Sequence, residues 1–354
     1  MGTLHFTRDW AGELERLATD HESVALLVSK GAKSRGTLAA AEAALAGSCI
    51  KVVDDVPPMP DIAFLEQLWA RLSDARMDAV VAIGGGSVID AAKGALLVAN
   101  CASPDEVAER VRLGRLVNLE RSPAILAVPT TAGSGSEVTP FASIWDREEG
   151  QKRSIEAPEI TPRHAIIDWQ LLRTLTGRAL LFPALDSLSH SMESLWSVGR
   201  SDRSHIHAVT GLQYSIAGLG SWDQPKDALS LLSMASVHAG LAIAESRTAI
   251  AHSISYPLSL DFGVPHGLAC SFALPAIASR ASVLFEANSL EWALIDEAIE
   301  ILRNFRLKDA IDEYCSRTQV FRCVNRMITP GRTDNFRLPV SERDLTDILA
   351  ESLN

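Results

Sequence analysis

Asp78–Ile83 (DAVVAI) runs without a break into Gly84–Ser87 (GGGS) and on into Val88–Lys93 (VIDAAK). The first piece is a short apolar run with β-branched residues, the signature of a buried strand. The last opens an Ala/Leu-rich stretch, continuing to Val98, that reads as a helix. A strand that passes through glycines into a helix is the connection of a parallel α/β sheet. The junction also suits an anion. Glycines let backbone N–H groups come close to a phosphate, and a helix N-terminus carries about half a positive charge. Gly84, Gly85 and Gly86 are therefore candidate pyrophosphate contacts, with Ser87 as helix cap and hydroxyl donor. The run is not GxGxxG, because Ile89 sits where the third glycine would fall, and it is not a Walker loop. A plain Gly-rich strand–helix turn is the alternative.

Outward from this junction the first half repeats the alternation. Val24–Val28, Cys49–Val53 and Ser122–Val128 read as further strands, and Thr37–Ala46 and Ile62–Ala75 as helices. The expected fold is an α/β, Rossmann-like N-terminal domain with a parallel sheet, binding its ligand at the carboxyl ends of the strands. A second loop, Pro129–Glu137 (PTTAGSGSE), follows the fourth strand. Its hydroxyls and glycines suit a nicotinamide ribose, a second phosphate or a solvated turn. Beyond Leu175 the sequence turns to long Ala/Leu/Ser-rich helical patterns punctuated by prolines. The expected division is an α/β domain over 1–175 and an all-helical domain over 176–354.

The chain has 354 residues, 47% apolar and 22% charged, enough for two folded domains and too apolar for a disordered chain. Asp and Glu (44) outnumber Lys and Arg (33), for a net charge of −11. That argues against a nucleic-acid binder, whose surface is ordinarily basic. Met1–Trp10 has no apolar targeting core, and the longest apolar runs, such as Ala91–Ala99 broken by Lys93, fall short of the ~20 residues of a membrane span. Cys49, Cys101, Cys270, Cys315 and Cys323 are scattered and form no CxxC. A reduced cytoplasmic protein is the expectation.

Asp186 and His190 stand four apart in a helical pattern, so their side chains share a face. His252 lies in a second helical segment, and His266 opens a third after Gly263-Val264-Pro265. One carboxylate and three imidazoles make a credible shell for a divalent first-row metal with an open position. Ordinary core or surface residues are the alternative. The other histidines have no such setting.

Taken together, GGGSVIDAAK (Gly84–Lys93), PTTAGSGSEVTPF (Pro129–Phe141), ALDSLSHSMES (Ala184–Ser194), His252 with Pro265-His266-Gly267, and Pro330–Asn335 resemble the iron-dependent (group III) alcohol dehydrogenases. The likeness spans nearly the whole chain, with the motifs in the same order. It implies the fold shared with the dehydroquinate synthase-like proteins: a Rossmann-like domain, an all-α domain and an active site in the cleft between them. By position the family's metal ligands fall on Asp186, His190, His252 and His266, with iron, or zinc, as the ion. Its pyrophosphate loop falls on Gly84–Ser87, with Asp90 behind it. Thr130, Thr131 and Ser134 match nicotinamide-side contacts, and Lys152 matches a lysine that reaches the cofactor ribose. The resemblance also implies a homodimer.

Two departures from the family pattern carry expectations. Where many members have a further histidine beside the nicotinamide, this chain has Tyr256, a candidate proton donor acting alongside the ligand His266, with a metal-linked water as the alternative donor and a packing aromatic as the alternative reading of Tyr256. Where NAD-preferring members have an Asp after the first strand, this chain has Ser29-Lys30-Gly31, so NADPH is expected over NADH, with Lys30 or Lys33 attracting its 2′-phosphate. TTAGSGSEVTPFASIWD, ESLWSV and HSISYPL are most similar to the phosphonoacetaldehyde reductases within the family. The implied reaction reduces that aldehyde to 2-hydroxyethylphosphonate. A neutral short-chain aldehyde or another phosphonate carbonyl is the alternative substrate. Arg153 and Arg280 are candidate contacts for a phosphonate group.

Overall fold

The computed structural model describes residues 2–114, 119–222 and 225–354. Two compact units emerge. The first runs to Thr131 and resumes over Ser136–Leu172; the second comprises Ala132–Gly135 and Arg173–Asn354.

In the first unit the strands are β1 (Thr3–Phe6), β2 (Ser23–Ser29), β3 (Cys49–Val56), β4 (Ala79–Gly84), β5 (Ala124–Pro129), β6 (Phe141–Asp146), β7 (Gln151–Glu156) and β8 (His164–Ile167). Six of them form one parallel sheet in the order β1-β8-β5-β4-β2-β3, and β6 and β7 form a separate antiparallel hairpin. The helices of this unit are α1 (Trp10–Ala18), α2 (Thr37–Ala44), α3 (Ile62–Leu72), α4 (Gly86–Val98) and α5 (Pro104–Leu113). Alternation along each strand divides the core into two layers. Val24, Leu26 and Val28 of β2 and Val81 and Ile83 of β4 pack on one face with Leu14, Leu38 and Ala41. Ala25, Leu27, Val80 and Ala82 pack on the other with Leu65, Leu68, Ile89 and Leu96. Helices on both faces make the sheet doubly wound, as the strand–helix alternation implies.

Sheet order also locates the ligand edge. The chain runs one way from β2 to β3 and the other way from β2 to β4, so the topological switch lies between β2 and β4. Val28 pairs with Ile83, which places the loops after Ser29 and Gly84 side by side at the carboxyl ends of the strands. Ligands of such sheets bind there.

The second unit is helical: α6 (Arg178–Leu195), α7 (Asp202–Gly220), α8 (Pro225–Ser246), α9 (Ile250–Phe262), α10 (His266–Ser271), α11 (Leu274–Ala281), α12 (Leu290–Arg303), α13 (Leu307–Asp312), α14 (Arg317–Arg322) and α15 (Glu342–Ser352). From Ala184 to Leu195 every residue of α6 is buried, Asp186, His190 and Glu193 included. Ionisable groups so deep in a core require partners.

The expectation that no stretch reaches the length of a membrane span needs correction. Ala228–Ser246 and His266–Leu284 are each 19 residues long with a mean hydropathy of 1.4. Both are mostly buried, as core helices of a helical unit are, and the second is broken into shorter helices. All five cysteines are free thiols.

Candidate metal centre and cofactor loops

Three imidazoles of the helical unit converge on one carboxylate oxygen. Asp186 Oδ1 lies 3.7 Å from His190 Nε2, 3.6 Å from His252 Nε2 and 3.9 Å from His266 Nε2. Donor atoms at about 2.1 Å from a tetrahedral ion sit roughly 3.4 Å from each other, so the set is a slightly open ligand cage. Asp186 Oδ1 and His252 Nε2 are buried and make no hydrogen bond. Two buried lone-pair atoms 3.6 Å apart with no hydrogen bond are costly unless a cation completes them. The donor chemistry, one carboxylate and three imidazoles, fits a divalent iron or zinc ion. Burial works against charge on Asp186, yet His190, His266 and His252 around it hold its carboxyl well below the usual range.

Local sequence explains the convergence. Asp186 and His190 are one turn apart on α6. His252 lies in the first turn of α9, its ring stacked on that of His190 at 4.7 Å. His266 is the first residue of α10, and the next residue has to be glycine. A Cβ on Gly267 would fall 1.8 Å from the carbonyl oxygen of Phe182 and 3.2 Å from Asp186 Cβ. This close approach of α10 to α6 brings His266 to Asp186.

Two further residues of the centre escape a sequence reading. Glu193, fully buried one turn beyond His190, accepts a hydrogen bond from His252 Nδ1 at 2.5 Å and from the amides of Ala249 and Ala251 at 3.0 and 2.6 Å. One carboxylate thus caps α9 and fixes the His252 tautomer, leaving Nε2 to face Asp186. Burial pushes the Glu193 carboxyl up, but His252 and the two amides outweigh it and hold it below its ordinary value. Cys270, one turn after His266, places its Sγ 3.7 Å from that imidazole and within ligand reach of Asp186 and His252. His266-Gly-Leu-Ala-Cys270 repeats the four-residue spacing of Asp186 and His190, the one signal that could have flagged it.

In the first unit Gly84–Ser87, Thr130 and Thr131 come together beside the switch point. Gly85, not Ser87, is the N-cap of α4, and no side chain caps that end. Ser87 instead stands inside the first turn, where its Oγ accepts from the Met59 amide at 3.1 Å. A Cβ on Gly85 would fall 2.8 Å from Thr131 Oγ1, so glycine there lets the two loops meet. The Thr130 amide donates to the Gly84 carbonyl at 3.0 Å, tying them together. Asp90 braces the loops from behind: it accepts from Ser136 Oγ at 2.6 Å and from the Ser143 amide of β6 at 3.0 Å. Lys93, fully buried, donates to Ser136 Oγ, Thr139 and the Phe141 carbonyl at 2.7–3.0 Å. Lys152 sits on β7 of the hairpin joined to α4 through that Asp90 contact. Ser134 falls in Ala132–Gly135, which packs with the helical unit, Gly133 against Pro183 and Gly135 against Gly240.

The two arginines considered for a phosphonate group are tied to carboxylates. Arg153 pairs with Glu149 and lies 3.6 Å from Asp146. Arg280 pairs with Glu351 at 3.1 Å. Tyr256 is buried one turn after His252 on α9, and its hydroxyl accepts from Arg332 Nε at 3.0 Å.

Comparison with known proteins bears on the family and the fold. Residues 2–169 match the iron-containing alcohol dehydrogenase family, and residues 182–289 match the C-terminal domain of the Fe-containing alcohol dehydrogenase family. The chain belongs to the iron-containing alcohol dehydrogenases. Among relatives, it is 38% identical to a phosphonoacetaldehyde reductase of Streptomyces viridochromogenes over 231 residues, 63% of this chain and 58% of that protein. It is 30% identical over 236 residues to aldehyde-alcohol dehydrogenase 2 of Entamoeba histolytica, 64% of this chain and 27% of that protein. The alignments thus span just over half of the first relative and about a quarter of the second. The fold matches that of sulfoacetaldehyde reductase from Bifidobacterium kashiwanohense in complex with NAD+, with a TM-score of 0.86 and 24% identity, covering 100% of this chain and 97% of that one.

Proposed function

We propose that this chain is a metal-dependent, nicotinamide-linked reductase that converts phosphonoacetaldehyde to 2-hydroxyethylphosphonate. The observation that carries the reading is the convergence of His190, His252 and His266 on Asp186 Oδ1, with buried donors left unsatisfied. A divalent cation held there supplies Lewis-acid polarisation of a carbonyl, and a reduced nicotinamide supplies the hydride. The balanced reaction is aldehyde, NADPH and a proton giving primary alcohol and NADP+. The chain's own residues do the placing. Glu193 holds His252, Gly267 admits His266, and the uncapped end of α4 offers amides to a pyrophosphate. Tyr256, whose Oη accepts from Arg332 Nε one turn after His252, is the candidate proton donor.

The finer choices rest on particular residues. NADPH is favoured because the loop beside the Gly84 loop offers Lys30 and Lys33 and no acid at Ser29; Arg35 adds a third cation, its Nη2 donating to Ser29 Oγ at 3.1 Å. Phosphonoacetaldehyde is favoured by the 38% identical relative that bears its name. Iron is the proposed ion and a homodimer the proposed assembly.

The test is NADPH oxidation by Fe(II)-loaded protein across phosphonoacetaldehyde and propionaldehyde. Faster capture of the phosphonate aldehyde is expected, with NADPH used in preference to NADH. Wild-type turnover by a His266→Ala variant would sink the reading of the centre.

A further inference from the structure

The helix that supplies His266 supplies a second donor of a different kind. Cys270 stands one turn later on α10, so the two side chains share a face. Its Sγ lies 3.7 Å from both ring nitrogens of His266. The donor atoms of Asp186, His252, His266 and Cys270 all fall within 4.8 Å of one another. A sulfur about 2.3 Å and a nitrogen about 2.1 Å from one tetrahedral ion stand roughly 3.6 Å apart, so the observed spacing is that of two ligands sharing a cation. The groups Cys270 joins include two buried atoms that make no hydrogen bond, Asp186 Oδ1 and His252 Nε2. A buried cysteine ordinarily packs as a small apolar side chain. This one is fully buried among metal-binding groups.

The backbone fixes the thiol in that place. The Cys270 carbonyl accepts from Ser189 Oγ at 3.4 Å, and Ser271 Oγ donates to the Leu185 carbonyl at 2.9 Å. Ser189 precedes His190 and Leu185 precedes Asp186 on α6. Both ends of α10 are therefore held against α6, by these two contacts at one end and by the close approach at Gly267 at the other. The sulfur keeps its position relative to Asp186 as firmly as His266 does.

The chemistry of the sulfur differs from that of its neighbours. A carboxylate and imidazoles serve iron(II) and zinc alike, whereas a soft thiolate favours zinc. We propose that Cys270 Sγ is a further ligand of the Asp186 centre and raises its preference for zinc over iron(II). The thiol gives its proton to solvent as the sulfur–metal bond forms, and the oxidation state of the metal is unchanged. This rests on reading the Asp186 cluster as a metal centre, and it goes further by naming a ligand that sets which ion the centre retains.

Spectroscopy of the full chain tests it without reference to turnover. Cobalt(II) exchanged into the wild type should give visible d–d bands together with a near-ultraviolet thiolate-to-cobalt charge-transfer band. Cys270→Ser should lose the charge-transfer band and keep the visible ones, while substitution of the exposed thiol in Cys49→Ser should keep both. Cadmium NMR of the loaded wild type asks the same question with no variant, since a sulfur-ligated cadmium resonates well downfield of one held only by nitrogen and oxygen. In competition with a chelator, the ratio of zinc to iron(II) affinity should fall roughly 10- to 100-fold in Cys270→Ser, at least the loss seen when a group behind a ligand is removed. Visible cobalt bands without a sulfur band, or an unchanged zinc-to-iron ratio, overturns the proposal and leaves the metal centre standing. A wild type that takes up no cobalt removes the centre and the ligand together.

Discussion

Glu193 Oε2 lies 2.5 Å from His252 Nδ1, and the same carboxylate accepts the amides that open the helix carrying that histidine. The position of the ligand and the start of its helix therefore depend on one buried charge. Glu193→Gln keeps the shape but removes the charge and turns one acceptor into a donor. Metal affinity should fall by roughly 10- to 100-fold, the usual cost of losing a carboxylate behind a ligating imidazole. Competition with a chromogenic chelator measures this directly. An unaltered affinity in Glu193→Gln would mean that packing alone orients His252.

Gly267 makes a prediction of a different kind. A methyl group there meets the Phe182 carbonyl at 1.8 Å, a backbone atom that no rotamer change can move. Gly267→Ala must push α10 away from α6 and carry His266 out of range of Asp186. Overpacking of this sort costs roughly 1–3 kcal/mol. The variant should show a lower Tm together with substoichiometric metal. Gly47→Ala serves as a control, since nothing lies within 4 Å of its added carbon. Full metal occupancy in Gly267→Ala would show that α6 and α10 have slack.

These two residues mark where the sequence stops being legible. The Gly84 loop and the Asp186/His190 pair could be read because their logic is local: a strand, glycines and a helix in succession, or two side chains one turn apart. Two strands of the sheet could not. β1, at the edge, and β8 beside it are four-residue segments, too short to show a pattern. The β6–β7 hairpin was missed because β7 buries only Ile155 and otherwise reads as polar. Glu193 and Arg332 depend on contacts 56 and 76 positions away in the chain, to Ala249 and Tyr256. No periodicity carries information over that distance. Arg153 and Arg280 show the converse, since local charge made them look available while Glu149 and Glu351 engage them in the fold.

Coenzyme choice should respond to a single substitution at the end of β2. Ser29 Oγ accepts from Arg35, and Lys30 and Lys33 follow. An aspartate in its place would repel a 2′-phosphate, neutralise Arg35 and offer an acceptor to a ribose 2′-hydroxyl. The ratio of kcat/KM with NADPH to that with NADH should fall at least about tenfold in Ser29→Asp, given the cost of juxtaposed like charges. Steady-state kinetics with both coenzymes decides. An unchanged ratio would place the adenosine ribose away from this loop.

Behind the Gly84 loop, Glu137 gives stability a pH dependence. It is 3% exposed, and burial raises its carboxyl to about 7 despite the opposing pull of its own backbone amide and of Lys93. Lys93 is itself lowered to about 8 by burial, against the opposing pull of Asp90 and Glu137. An acid whose folded value is raised binds more protons in the native state than in the unfolded one between its two values. Stability therefore falls as pH rises from the ordinary carboxyl value through about 7, and the cost of the buried charge is fully present above that. Glu137→Gln removes the titration. The variant's Tm relative to wild type should accordingly be higher at about pH 7.5 than at about pH 5, because only wild type pays for ionisation across that interval. Calorimetry at the two pH values supplies the difference, and the histidines that titrate in the same range cancel because both proteins carry them. A Tm difference independent of pH would mean that Glu137 keeps its charge throughout, held by Lys93 strongly enough to overcome burial.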